Sequence, residues 1–267
     1  MTSMPVPKDD IILGAVAYDA KVVPIWEGFR AWFIAKGLPF DFVLYSNYER
    51  QVEAHMRGDI DVAWNSPLAW IQTERAAKTA GRKAEAIAMR DTDRDLTSVV
   101  LARADGPIHQ INDLSGKRIG VGAKDSPQAT LIPLRVLADA GVTGTVVYHD
   151  LLVGKHGDHV GGEREAVKAL LAGTVDAACI IDGNHVAFAR EGLYPSNAMR
   201  IVQQTPPYDH CNFTILDGGP PAIGTFRELL LAMQYSDAEV RPLLDMEGLK
   251  QWLPGRTSGY ALLERAV

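Results

Sequence analysis

One motif occurs twice in this chain and constrains its fold more than any bulk property. Residues 58–63 read Gly-Asp-Ile-Asp-Val-Ala and residues 173–178 read Gly-Thr-Val-Asp-Ala-Ala, each closing a helical pattern and opening a strand pattern. The echo extends upstream: Ile12-Leu13-Gly14-Ala15-Val16, with a helical run ending at Gly37, matches Arg118-Ile119-Gly120-Val121-Gly122, with a run ending at Gly141. Both halves therefore read strand, loop, helix, Gly, strand, loop, helix, Gly, strand.

Strand-helix-strand crossovers build parallel sheets, and ligands gather at the loops after the carboxyl ends of the strands. The duplication predicts two α/β lobes with mainly parallel sheets, joined by a two-strand hinge and facing a shared cleft. Lobe 1 is expected over 1–103 and 206–267, and lobe 2 over 104–205. The turn-rich stretch Ala104-Asp105-Gly106-Pro107 marks the outgoing crossing and residues 203–207 the return. Two crossings suit a hinge, since few residues must absorb a rotation. Loops 18–22, 46–48 and 65–67 should supply ligand contacts from one lobe, and loops 124–130, 154–163 and 182–185 from the other. The C-terminal helical patterns, the last over 259–266, are expected to rejoin lobe 1.

Composition narrows the partners. With 47% hydrophobic and 22% charged residues, the 267-residue chain has the make-up of a globular protein with a sizeable core. A net charge of -6 with pI near 5.6 argues against nucleic acid, because no basic stripe exists to meet phosphates. No stretch approaches the roughly 20 apolar residues that span a bilayer, so the chain is expected not to cross a membrane. Residues 1–10 lack the charged start and apolar stretch of an export signal. This leaves two localisations open, the cytoplasm, or the periplasm with a leader already removed. The two cysteines make no disulfide framework, and Cys179, in an apolar run, is expected to be a buried thiol.

The copies themselves, with Tyr48-Glu49-Arg50-Gln51-Val52-Glu53-Ala54, the 58–64 motif, Ser66-Pro67-Leu68-Ala69, Asp113-Leu114-Ser115-Gly116-Lys117-Arg118-Ile119 and Thr205-Pro206-Pro207-Tyr208, form a recognisable succession. It resembles the phosphate/phosphonate/phosphite-binding family of ABC-transporter solute-binding proteins over nearly the whole chain. The resemblance implies a two-lobed type II periplasmic-binding fold and a function in uptake or sensing. It also implies a small polar ligand, phosphonate- or phosphate-like, anionic or zwitterionic, and an ABC permease as partner. The same fold serves cytoplasmic enzymes such as decarboxylases and dehydratases, so fold alone does not decide function. No nucleophile elbow, P-loop or dinucleotide fingerprint is present, and no cofactor is expected.

The ligand-binding candidates are Tyr18, Tyr48, Asn65, Ser66, Ser126, Gln128, Thr130, His159, Glu163, Asp182 and Asn184. Ser126 opens a helix after a strand, so its hydroxyl and the free N–H groups suit an anion; it equally suits a helix cap. Pro127 and Gln128 stand where the family offers further hydroxyls, which points to a different head group. Glu163 stands where related proteins offer a histidine, and a carboxylate there favours an amine, a hydroxyl or a cation over a dianion. Asn65 and Asn184 suit the reading of a polar ligand, while Ser66 and Asp182 also suit caps. Tyr18 and Tyr48 match ligand-touching aromatics of the family, or pack at the rim.

Loop 154–163 concentrates two histidines and two carboxylates among glycines. His156, Asp158 and His159, with His185, His210 or Cys211, have ligand chemistry for a metal, though H-x-x-H spacing is weak and no functional metal is expected. The competing reading is an enzyme using this loop for acid-base or metal-assisted work. Asp91, Asp93 and Asp95 read as a solvated acidic turn.

Overall fold

The computed structural model describes residues 10–17, 20–150, 159–195 and 197–267. Chain order is β1 (Ile11–Val16), α1 (Val22–Ala35), β2 (Phe40–Tyr45), α2 (Tyr48–Arg57), β3 (Val62–Asn65), α3 (Pro67–Thr79), β4 (Ala84–Arg90) and β5 (Ser98–Arg103). It continues through β6 (Arg118–Val121), α4 (Ile132–Asp139), β7 (Thr145–Tyr148), α5 (His159–Leu171), β8 (Ala177–Ile181), α6 (Asp182–Arg190) and β9 (Met199–Gln204). The last elements are β10 (Asn212–Leu216), α7 (Ile223–Ala232), α8 (Arg241–Glu247), β11 (Trp252–Pro254) and α9 (Ala261–Glu264).

The chain divides into two compact units. Unit 1 holds the described residues of Met1–Arg94 with Asp209–Ser258, and unit 2 holds those of Asp95–Tyr208 with Gly259–Val267. The outgoing crossing thus falls before β5 rather than after it, because β5 pairs with β8 and β9. The return falls after Tyr208, which exchanges backbone hydrogen bonds with Leu96 of its own unit. The C-terminal segment belongs to unit 2, not lobe 1: α9 packs on α4, and the Arg265 carbonyl accepts from Arg135 at 3.4 Å.

Unit 1 has the strand order β11-β4-β10-β3-β1-β2, and unit 2 has β7-β6-β8-β5-β9. In each, the first strand of the repeat is central, with its second and third strands parallel on either side. Both sheets are mixed rather than mainly parallel in their pairings. Each accepts an antiparallel strand that follows a crossing, β5 in unit 2 and β10 in unit 1.

The repeated Gly-x-x-Asp motif now has a physical account. Gly58 and Gly173 end α2 and α5 with φ of 81° and 71°, the left-handed region where glycine is unstrained. Three residues later, Asp61 Oδ2 accepts from Ile12 N at 2.8 Å, and Asp176 Oδ2 accepts from Arg118 N at 2.8 Å. The aspartate's own N–H donates back to the Ile12 or Arg118 carbonyl. The motif therefore stitches the third strand of each copy to the start of the first, and is structural.

Burial follows the pattern. Val22, Ile25, Trp26, Phe29 and Phe33 make the inner face of α1, at helical spacing. They join Trp64, Phe213, Phe226 and Trp252 in one aromatic core, with the Trp64 and Phe213 ring centres 4.7 Å apart. All five tryptophans lie in unit 1. Unit 2 is cored mainly by aliphatic side chains such as Val100, Leu137, Leu170 and Ile180, with Phe188, Tyr194 and the fully buried Cys179 among them. Burial pushes the Cys179 thiol up to about 12.

Candidate functional site

In unit 2, the parallel directions of β6, β7 and β8 bring their carboxyl ends to one edge, where the antiparallel β5 begins. The segment after β6 turns sharply into a π-helical turn, Pro127–Leu131, that runs on into α4. Ser126, Gln128 and Thr130 are buried here. Ser126 Oγ accepts from Ala129 N at 3.2 Å, so the hydroxyl caps the turn. Ser98, at the start of β5, donates its hydroxyl to the Gln128 carbonyl at 2.6 Å and lies 2.7 Å from the Tyr208 hydroxyl. Ser98 N in turn donates to Thr205 Oγ1. Among the described residues, two atoms of this turn, Gln128 Oε1 and Thr130 Oγ1, are buried without a hydrogen-bond partner.

Glu163, in the first turns of α5, is fully buried. Its Oε2 accepts from Ile181 N at 3.0 Å and Asn184 Nδ2 at 2.7 Å. The carboxylate thereby fastens α5 to the β8–α6 junction, and the Asn184 amide is engaged on it rather than held out for a ligand. Asp182 accepts from the Thr97 hydroxyl at 2.6 Å and from Gly183 N at 2.6 Å. Both acidic groups thus meet protein donors. His185 contacts the Tyr194 hydroxyl at 2.9 Å, and burial lowers its pKa.

Unit 1 presents its own carboxyl edge. Ser66 Oγ caps α3, accepting from Ala69 N at 3.2 Å. Asn65 is fully buried: its amide accepts from Gln51 at 2.8 Å and donates to Thr214 at 2.8 Å. Asn65, expected as a ligand reader, is engaged in a buried polar network with Gln51 and Thr214 inside the sheet. Tyr48 opens α2 and is half-buried. Tyr18, His156 and Asp158 lie outside the described residues, as does the side chain of His159.

The acidic turn after β4 is not solvated throughout. Asp93 is 1% exposed, and both its oxygens accept from Arg90, at 2.6 and 2.9 Å. Burial pushes the Asp93 carboxyl up, but Arg90 overrides it and holds it down to about 2. Arg90 also meets Glu247 at 3.2 Å and lies over the Trp64 ring. His210 Nδ1 stands 3.5 Å from Asp93 and 3.1 Å from Cys211 Sγ. Burial lowers the His210 pKa, and the neighbouring Cys211 and Asp93 more than reverse this, leaving it raised.

Comparison with known proteins places these edges in context. Residues 17–260 match the family described as ABC transporter, phosphonate, periplasmic substrate-binding protein. The chain belongs to this family. Its fold is the two-sheet α/β architecture of type II periplasmic binding proteins. PhnD1 from Prochlorococcus marinus, solved in complex with methylphosphonate, is 17% identical, with 97% of each chain covered and a TM-score of 0.66. A protein of Xanthomonas citri solved bound to ATP is 16% identical, covering 97% of this chain and 96% of that one, with a TM-score of 0.71. The periplasmic aliphatic sulphonate binding protein SsuA of Escherichia coli is 18% identical, covering 97% and 90%, with a TM-score of 0.58. As a member of this family, the chain is a solute-binding protein of an ABC-type system. Among the described residues, no helix is long and apolar enough to cross a membrane.

Sequence reasoning missed Ser98, which sits inside an apolar run and gives no signal of its own. It missed the role of Tyr208, although Thr205-Pro206-Pro207-Tyr208 was part of the family resemblance. It also missed Arg90 and Glu247, whose pairing spans 157 positions in the chain.

Proposed function

We propose that this protein captures a small phosphonate- or phosphate-like ligand, anionic or zwitterionic, for an ABC permease or a sensing partner. Ser126, Gln128 and Thr130 of unit 2 are its principal contacts. Asp182 and Asn184 shape the unit 2 edge from α6. One observation carries the assignment: among the described residues, the buried Gln128 Oε1 and Thr130 Oγ1 lack protein partners, at a turn where the resemblance implies an anion. A buried polar atom without a partner costs about 1–3 kcal/mol, so a ligand that satisfies both relieves a standing penalty. Thr130 donates to a phosphoryl oxygen. Gln128 Oε1 accepts from an ammonium or acidic hydroxyl, which favours a ligand carrying its own donor over a bare dianion. No observation of the described residues favours the enzyme reading, since Glu163, the acid of loop 154–163 that is described, fastens α5 to α6.

Titration calorimetry with methylphosphonate, 2-aminoethylphosphonate, inorganic phosphate and methanesulfonate tests this. The aminophosphonate is expected to bind tightest. Thr130→Val should weaken it about tenfold, the loss of roughly one hydrogen bond of 1.4 kcal/mol. Normal binding by both Thr130→Val and Ser126→Ala would overturn the pocket; no binding of either phosphonate or of phosphate would overturn the ligand class.

A further inference from the structure

We propose that Asp93, His210 and Cys211 form a binding site in unit 1 for a borderline-soft divalent cation, zinc being the best match. One donor atom from each lies within 4.8 Å of the other two. The resolved separations are 3.1 Å from His210 Nδ1 to Cys211 Sγ and 3.5 Å from His210 Nδ1 to Asp93 Oδ1. Donors held about 2.0–2.3 Å from a tetrahedral zinc ion stand roughly 3.3–3.8 Å from one another, so small adjustments close the set. Thiolate, imidazole and carboxylate together select zinc over magnesium or calcium, which take oxygen donors. Three protein ligands leave a fourth position for water or another molecule.

The surroundings hold these ligands in place. Arg90 grips both oxygens of Asp93, yet each carboxylate oxygen has two lone pairs and Arg90 uses one on each, so one remains for a cation. That guanidinium is an outer partner of the kind that orients a metal-bound carboxylate. Its own charge is met by Glu247 at 3.2 Å. His210 N donates to the Asp93 carbonyl at 2.8 Å, and the preceding Asp209 is clamped by Arg256 through two contacts of 2.6 Å. The two segments bearing the ligands are those by which the chain leaves unit 1 and returns to it. A bound cation would tie them together.

The full chain, purified without a histidine tag and stripped with chelator, is titrated with Zn2+ by calorimetry and with Co2+ by absorption. One equivalent of metal per chain is expected, with a thiolate-to-cobalt charge-transfer band. Because the chain has two cysteines, the band in Cys179→Ser protein must arise from Cys211, a reading that needs no change at the site. Cys211→Ser should abolish the band, and His210→Ala should weaken zinc on the order of a hundredfold. The double variant His156→Ala, His159→Ala should bind as the parent does. The proposal is overturned by less than stoichiometric metal on the parent, by a Cys179→Ser protein without the band, or by binding lost in the 156/159 variant.

Discussion

His55 is a histidine that the fold keeps neutral. It is 2% exposed on the inner side of α2, and burial, helped by Arg82, lowers its pKa from 6.5 to about 4 despite a backbone contact at Asp61. The unfolded chain takes up a proton near 6.5 and the folded chain only near 4. The contribution of His55 is therefore complete above pH 6.5 and lost as pH falls to 4, a swing on the order of 3 kcal/mol. Urea midpoints measured across that range should show a shallower acid limb for His55→Leu than for the parent, and equal slopes would refute the assignment. The comparison must be made against the parent protein, because Glu247 acts in the opposite sense. Burial raises its carboxyl to about 7 although Arg90 opposes this, so its contribution fades as pH rises between 4.5 and 7.

At the scale of elements, two glycines separate tolerable crowding from intolerable crowding. A Cβ on Gly28 in α1 would stand 2.2 Å from Leu243 Cδ2, the movable end of a side chain. A Cβ on Gly255, just after β11, would stand 2.0 Å from the Ala86 carbonyl oxygen, part of the β4 backbone. Gly28→Ala should change stability by no more than about 1 kcal/mol, the helix preference for alanine offsetting the displaced leucine. Gly255→Ala should destabilise by about 3 kcal/mol or more, because a ladder must part. Denaturant midpoints of the two variants check the contrast.

The repeated elements were legible because their signals are local. Periodicity, Ser66 at a helix start, and Gly58 and Gly173 at helix ends all act within a few residues. The strands β10 and β11 were not legible, since each finds its partners in β3 or β4, far away in the chain. The site was half legible for the same reason. The Ser126 turn announces itself by proline and hydroxyl, whereas Asp93 reads as solvated until Arg90 and Glu247 fold over it.

On the scale of the whole molecule, one supersecondary unit was used twice and then given different interiors. A ligand present at a hundred times its dissociation constant should stabilise the chain by about 2.7 kcal/mol. A Tm rise with aminophosphonate, about halved in Thr130→Val at the same concentration because a tenfold weaker site retains about 1.4 kcal/mol, would record it. The interiors also differ in what they report. Every indole resides in unit 1, and Phe213 packs 4.7 Å from one of them. Leu137, in the other interior, has aliphatic neighbours. Phe213→Ala and Leu137→Ala should each destabilise by about 2–5 kcal/mol, yet only the first should move the fluorescence maximum of the native protein toward the red. The molecule thus carries its tryptophan label on one half, while the other half holds tyrosines but no tryptophan.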